Sequence, residues 1–323
     1  MLLGVNSLMI LAAPAVQQSD TVIAVRPGTR LQVENFQGET VVRTWDKNAI
    51  HIVADGDDRN RLDVRNLGTV LTVKSQSRYG PPRHVEYQIT VPVRTELTIK
   101  GVYNDVTVDG VQGGISVETV NGGIEVRGGD GFVSLKSVDG GVRLSDAKGR
   151  ITVSSVNESV EVTNANGDIS AETVNGDVKL EGITSASVTA TSVNGEIVYD
   201  GTIEDAGQYS LNTHNGDVTV TVPERANATV DVSTYNGEFD PGGISVQVSR
   251  LSRNRFTFVL GSGSGRLTLE SFQGTISLRR PGEVRKGGAM NYWDKDKQKE
   301  REQKEREKER ARQAKERKRE DRR

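Results

Sequence analysis

The chain contains no cysteine among its 323 residues. That absence excludes disulfide bonds, thiol nucleophiles and zinc–thiolate sites. Aromatic residues make up 5% of the chain and hydrophobic residues 34%, whereas glycine occurs 35 times. A sequence this poor in aromatic side chains and this rich in glycine fits a thin, turn-rich β structure better than the thick core of an α/β enzyme.

Sequence motifs for catalysis are also missing. The three histidines, His51, His84 and His214, are far apart and show no H-E-x-x-H or comparable metal spacing. There is no G-x-S-x-G nucleophile elbow and no phosphate-binding loop, and the GSGSG at 261–265 is typical of a flexible turn. The sequence therefore predicts no catalytic residue, no metal ligand and no cofactor, and the protein is not expected to be an enzyme.

What the chain does contain is a repeated phrase. TVNGGIEVRGG at 119–129 returns as SVDGGVRLSDA, SVNESVEVTNA, TVNGDVKLEG and SVNGEIVYDG, with the turn residue recurring at steps of 18, then 19, then 21 residues. Asparagine and glycine tolerate left-handed backbone, which predicts a corner at each of these turns. The predicted corner residues are Asn121, Gly122, Asp139, Gly140, Asn157, Asn175, Gly176, Asn194, Gly195, Asn215, Gly216, Asn236 and Gly237.

Each turn is followed by apolar residues at the third and fifth positions, and a weaker turn halfway along the repeat is followed by a second such pair. These positions are Ile124 and Val126, Val142 and Leu144, Val160 and Val162, Val178 and Leu180, and, in the weaker half, Ile115 and Val117, Val133 and Leu135, Ile151 and Val153, and Ile169 and Ala171. Alternation with period two indicates short strands that each bury one face. No segment between them is long or periodic enough for a helix.

These patterns predict an all-β solenoid, a parallel β-helix with about 18 residues per coil. Equivalent residues would then lie above one another at the interstrand spacing of about 4.8 Å, and each coil would be stable only when neighbouring coils cover it. Val138 and Val156, which precede corners, break the strict alternation and leave room for a short third side. The sequence leaves open whether the cross-section has two sides or three.

Two columns of outward residues follow from this register. Glu125, Arg143, Glu161 and Lys179 alternate in charge at steps of 18 residues, as attracting vertical neighbours should. The second column carries hydroxyl groups and is the candidate binding face for a glycan or for ice; solubility and β propensity explain it equally simply. Its members are Ser116, Ser134, Thr152, Ser170 and Thr189.

The less regular segments suggest domain boundaries. Residues 1–18 form an apolar run ending in small residues, too short for a bilayer span of about 20 residues. This run predicts a signal peptide and hence export to the periplasm, the outer surface or the medium; a buried strand is the alternative. Residues 19–100 are expected to form an N-terminal cap with irregular coils, residues 101–240 the regular repeats, and residues 241–282 the C-terminal coils and cap.

The remaining segment, 283–323, is a charged tail predicted to be helical or disordered. Residues 294–323 contain 15 basic and 10 acidic residues, a balance of +5, so the rest of the chain carries −7 of the net −2. Such a tail could contact anionic lipid, lipopolysaccharide or nucleic acid through charge alone. Specific nucleic-acid binding is not expected.

Three phrases together resemble a known family: LQVENFQGETVVRTWDKNAIHI, then YQITVPVRTELTIKGVYNDVTVDGVQGGISVETVNGGIEV, then LTLESFQGTISLRR. Their order is similar to that of the bacterial putative-adhesin family, a family of envelope-associated β-solenoid domains of unknown function, over residues 30–280. The resemblance implies a right-handed coil and export. It brings no catalytic residues.

The functional prediction is a non-catalytic, exported β-solenoid that presents a repetitive surface for adhesion, scaffolding or envelope sensing, with a cell-envelope glycan or envelope protein as partner. One alternative is a structural scaffold that self-associates by stacking solenoid ends. The other is a polysaccharide-acting β-helix enzyme, for which Glu118, Lys136 and Glu172 would share one column.

Overall fold

The structure is a computed structural model that describes residues 17–56, 60–77, 80, 84–246, 249–250, 252 and 254–282. Within these residues all regular secondary structure is β, in 25 strands, which confirms the predicted class. No helix in this part of the chain is long and apolar enough to cross a membrane. The predicted tail lies outside the described residues, as does the predicted leader apart from Gln17 and Gln18, which belong to the first strand.

The centre of the molecule is built from short strands of four to eight residues. They are β8 (Ile115–Glu118), β9 (Ile124–Arg127), β10 (Asp130–Lys136), β11 (Val142–Ser145), β12 (Lys148–Ser154), β13 (Val160–Thr163), β14 (Asn166–Glu172), β15 (Val178–Ile183), β16 (Ser187–Asn194), β17 (Ile197–Gly201), β18 (Gln208–Asn215) and β19 (Val218–Thr221).

These strands pair in parallel with the strand two places further along the chain. The even-numbered strands form the first ladder and the odd-numbered strands the second. Ile151 lies opposite Ile169 in the first ladder, and Arg143 lies opposite Glu161, 18 residues later, in the second. Each coil therefore contributes one strand to each ladder, while the right-handed sense of the coil stays a prediction.

The core lies between the two ladders. All sixteen positions predicted to face inwards, from Ile115 to Leu180, are at most 3% exposed. Val138 and Val156, however, point outwards with exposures of 38% and 37%. The interpretation that they open a third side is therefore wrong, because both lie on the outer surface beside the corner.

The left-handed residues occupy the corner that leads from the second ladder to the first. Their φ angles are +83° at Gly110, +111° at Gly128, +57° at Asp146, +52° at Asn164 and +63° at Gly182. Asparagine, aspartate and glycine are the residues that adopt this conformation at least cost. The prediction that the Asn-Gly corners are left-handed is therefore wrong for most of them, since the left-handed column lies at the opposite corner.

Glycine at the Asn-Gly corners has a different physical reason. A Cβ on Gly140 would lie 1.8 Å from the carbonyl oxygen of Gly122, and one on Gly195 would lie 1.9 Å from that of Gly176. No pair of carbon and oxygen atoms tolerates such a distance. Glycine thus allows the backbones of successive coils to approach closely at this corner.

The N-terminal end consists of longer strands: β1 (Gln17–Ala24), β2 (Arg30–Trp45), β3 (Ala49–Gly56), β4 (Asn60–Asn66), β5 (Val70–Ser77), β6 (Val85–Pro92) and β7 (Glu96–Asp109). Strand β2 continues around the corner and contributes to both ladders. It pairs with β7 on one side and with β5 and β6 on the other. The first coil in the sequence is therefore not the outermost coil. Antiparallel strands β3, β1 and β4 extend the sheet beyond β5 and β6.

The C-terminal end shows the same departure from sequence order. Its strands are β20 (Ala228–Thr234), β21 (Phe239–Asp240), β22 (Ser249–Arg250), β23 (Arg255–Leu260), β24 (Gly265–Gln273) and β25 (Ile276–Arg279). Strand β24 lies between β18 and β20, and β25 lies between β19 and β21. The last coil is thus inserted into the stack.

This insertion changes the neighbour of Asn215. The repeat spacing predicts that Asn236 stacks on Asn215, but the residue opposite Asn215 is Gln273. The cause is β23, which runs antiparallel along the outer edge of β20. A turn with left-handed Gly261 and Gly263 then returns the chain along the inner edge as β24.

Candidate binding surfaces

The predicted hydroxyl column is a continuous feature of the first ladder. Ser116, Ser134, Thr152, Ser170 and Thr189 lie opposite one another in successive strands. Pairing extends the column with Thr98 at one end and with Ser210 and Thr268 at the other, which gives eight consecutive coils. The middle members are half-buried and Thr189 is exposed. No hydrogen bond joins neighbouring members within the described structure, so their hydroxyl groups remain available to a ligand.

A charged column lies two residues further along the same strands: Lys100, Glu118, Lys136, Ser154 and Glu172. Glu118 and Glu172 are three coils apart, which corresponds to about 14 Å at the interstrand spacing. The paired carboxylates of glycoside hydrolases are about 5–9.5 Å apart. The geometry therefore does not provide the carboxylate pair on which the enzyme alternative depends.

The corner residues form an asparagine ladder on the outside of the stack. The side-chain amide of Asn215 donates to Oδ1 of Asn194 (2.8 Å), Asn194 donates to Asn175 (2.8 Å), and Asn175 donates to Asn157 (3.0 Å). Asn157 in turn donates to the carboxylate of Asp139. Each amide thus serves as both donor and acceptor, which explains the recurrence of asparagine at this position independently of any ligand.

A second set of hydroxyl groups, the inner hydroxyls, lies inside the same corner and was missed by the sequence reasoning. Each donates to a backbone carbonyl of the preceding coil: Ser137 to Gly122 (3.0 Å), Ser155 to Gly140 (2.9 Å) and Ser192 to Gly176 (2.9 Å). A buried carbonyl without a partner would cost about 1–3 kcal/mol. The signal was present, because serine or threonine stands two residues before most corner residues. The full set is Thr119, Ser137, Ser155, Thr173, Ser192, Thr213 and Ser271.

Between the charged column and the asparagine ladder runs an apolar stripe. Seven of its members are 37% to 63% exposed, and it occupies the position just before each corner residue. Successive members are neighbours in space, since Asn157 donates its amide proton to the carbonyl of Val138 and Asn175 donates to Val156. In stack order the apolar stripe comprises Phe36, Val102, Val120, Val138, Val156, Val174, Val193, His214, Phe272 and Tyr235.

At one end the apolar stripe becomes a stack of rings. The ring of Phe272 lies between those of His214 and Tyr235, at centroid distances of 4.6 Å and 4.9 Å and nearly parallel to both. The inserted coil that carries Phe272 is thus what brings these three side chains together. His51 contacts Asp20 (2.7 Å) and His84 contacts Glu86 (3.3 Å), both elsewhere. No cluster that could hold a metal ion occurs among the described residues.

The alternating charges predicted on the second ladder are vertical neighbours, as expected. Arg143 donates to Glu161 through Nη2 (2.9 Å), and Nζ of Lys179 lies 3.9 Å from the same carboxylate. The side chains of Arg143 and Glu161 are only 18% and 15% exposed. This pair is therefore less accessible to solvent than the sequence suggested.

The perturbed ionisable groups are tyrosines in the core. Burial raises the pKa of Tyr87 to about 12 and also raises the pKa of Tyr199 and Tyr209. The hydroxyl groups of Tyr199 and Tyr209 donate to the carbonyls of Thr202 and Ser185, each at 2.6 Å. These phenols are neutral at physiological pH and have a structural role.

The profile of the Toastrack DUF4097 family matches residues 29–279. This match confirms the resemblance to a domain family of unknown function that was inferred from the sequence. No match was found among curated proteins.

Solved structures similar to this chain include a putative adhesin from Parabacteroides merdae, with 12% identity, coverage of 81% of this chain and 96% of the other, and a TM-score of 0.45. A putative adhesin from Bacteroides fragilis has 13% identity, 82% and 98% coverage and a TM-score of 0.40. A putative cell adhesion protein from Clostridium sporogenes has 10% identity, 82% and 100% coverage and a TM-score of 0.27.

Proposed function

Because this chain belongs to the Toastrack DUF4097 family, we propose that it is a non-catalytic, exported protein that presents a rigid, repeating surface for adhesion in the cell envelope. We propose further that a cell-envelope glycan binds along the hydroxyl column. An envelope protein is the second candidate partner. Scaffolding, envelope sensing and assembly through the solenoid ends are further roles compatible with this architecture.

The observation that carries the proposal is the length and regularity of the hydroxyl column. Eight coils at about 4.8 Å place hydroxyl groups along roughly 34 Å. Hydroxyl groups both donate and accept hydrogen bonds, which suits the hydroxyl-rich surface of a sugar polymer. The adjacent charged column, with Lys136 and Glu118 as neighbours, supplies stronger, charge-assisted hydrogen bonds.

Rigidity supports the same proposal. Both ladders bury their inward side chains almost completely, and the inner hydroxyls fix each corner to the preceding coil. A surface held this firmly loses little conformational entropy on binding. The column therefore suits a repeating ligand that makes many individually weak contacts.

The test is a glycan array and an envelope-extract pulldown with residues 19–282, alongside the full chain. We expect saturable binding of one glycan class by residues 19–282, and a loss of at least about tenfold in affinity for Thr152→Arg, which places a long cation in the middle of the hydroxyl column. The matched control is Thr163→Arg, at an outward position of the second ladder. This variant should bind like the wild type.

Two results would contradict the proposal. One is equal binding by both arginine variants. The other is binding that requires the charged tail and disappears in salt, because the solenoid would then be a spacer and the contact would be electrostatic.

A further inference from the structure

We propose that two copies of this chain associate through the apolar stripe, in antiparallel orientation and with Val156 on the two-fold axis. The inference is independent of glycan binding, because the hydroxyl column lies two columns away from the apolar stripe on the first ladder. Val156 follows Thr152 by four residues, so the proposed contact leaves the hydroxyl column accessible.

The first argument is the continuity of the apolar stripe. Water-exposed valines such as Val120, Val174 and Val193, each about 40% exposed, occur in consecutive coils rather than singly. Monomeric proteins rarely expose a contiguous apolar patch of more than a few hundred Å². An uninterrupted row along the stack is therefore a feature that calls for a partner.

The second argument is area. Nine members, from Phe36 to Phe272, span eight interstrand spacings, or about 38 Å. With the column on either side, at about 6.7 Å per two residues along a strand, the surface is about 20 Å wide. The product is close to the roughly 800 Å² per partner found in stable interfaces.

The third argument is charge, and it selects the register. Val156 is the middle of those nine members, with four on each side. A two-fold axis through Val156 places Val138 against Val174 of the second copy, and Phe36 against Phe272. In the charged column the same axis sets Lys136 opposite Glu172 of the second copy, twice per dimer by symmetry.

Other registers are less favourable. With the axis midway between Val138 and Val156, Glu118 would face Glu172, and like charges across an interface are costly. With the axis midway between Val156 and Val174, Lys136 would face Thr191 and both Lys136–Glu172 pairs would be lost. A parallel dimer would place Lys136 against the asparagine ladder and gain no ion pair.

The natural absence of cysteine allows a direct test on the full chain. Sedimentation of the wild type should show a concentration-dependent dimer. Under mild oxidation, Val156→Cys should form a covalent dimer, since a residue on the axis meets its own copy. The matched control Val193→Cys, which is equally exposed but faces Val120 of the second copy, should not form one.

Charge exchange tests the register separately. We expect Lys136→Glu and Glu172→Lys each to weaken dimerisation about tenfold, and the combination of both to restore it, because the exchanged charges again face each other across the axis. Ser154 separates the two positions within one chain, so the rescue cannot arise inside a monomer. A monomer at all concentrations, equal cross-linking of the two cysteine variants, or failure of the double exchange to restore the dimer would each overturn the proposal.

Discussion

Val160→Asp is expected to unfold the coils around residue 160. The side chain of Val160 is fully buried and lies between Val142 and Val178 of the neighbouring coils. Its burial is worth about 1.5–3 kcal/mol, and an unpaired carboxylate in its place would cost about 3–5 kcal/mol more. The sum is comparable with the total stability of about 5–15 kcal/mol for a typical domain.

Because coils are stabilised by their neighbours, the damage should spread in both directions along the stack. We expect the melting temperature to fall by more than about 10 °C, and amide hydrogen exchange to accelerate in β11 and β15 as well as in β13. The control is Glu161→Gln, one residue later and outward. It should cost about 1 kcal/mol, rather than nothing, because Glu161 is only 15% exposed and accepts from Arg143. Equal effects of the two substitutions would show that the assigned inward and outward faces are wrong.

Gly149→Ala is expected to produce the second large loss of stability. Gly149 has φ of +105°, which costs a residue with a Cβ about 1–2 kcal/mol. A Cβ would also lie 2.4 Å from the carbonyl oxygen of Gly131 in the preceding coil. Relieving that overlap requires a shift of the backbone, at about 1–3 kcal/mol. The expected total is about 2–5 kcal/mol, measured by urea unfolding.

Gly131→Ala provides a matched control from the same column. Gly131 lies directly opposite Gly149 and is also left-handed, with φ of +85°. A Cβ there would meet nothing within 4 Å, so only the conformational cost of about 1–2 kcal/mol remains. The difference between the two variants isolates the close approach of the coils, and equal losses would argue against coils in contact at this corner.

The regular part of the fold is predictable because its information is local. Ile124 and Val126 alternate with polar residues, and their counterparts recur 18 residues later, so the periodicity alone identifies the buried face. The alternating charges at Arg143 and Glu161 were likewise correctly placed as vertical neighbours. Both inferences need only the spacing within and between consecutive repeats.

The order of the coils at the two ends could not be predicted in this way. The segments around Asn215, Asn236 and Gln273 carry nearly the same pattern, and each could pair with either of the others. What decides the order is the antiparallel strand β23, which reverses the chain before the last coil. Pairing between strands distant in sequence leaves no trace in a repeat that is the same everywhere.

The candidate surfaces show the same limit. The hydroxyl column around Thr152 follows from the repeat, and the structure extends it. Ser155, by contrast, reads as a surface residue but is buried and donates to Gly140. Val156 reads as a core residue but lies outside. Near a corner the period of two no longer holds, so polarity and position become separate questions.

Every surface column described above depends on the order in which the coils stack, and one measurement tests that order directly. Two double variants of the cysteine-free chain are oxidised and compared: Asn215→Cys with Gln273→Cys, and Asn215→Cys with Asn236→Cys. Partners in adjacent parallel strands lie within the range of about 4.4–6.8 Å between Cα atoms that a disulfide requires, whereas residues two coils apart do not. The inserted last coil predicts an intramolecular disulfide in the first variant and none in the second. A disulfide between positions 215 and 236, and none between 215 and 273, would show that the coils stack in sequence order and would contradict this account.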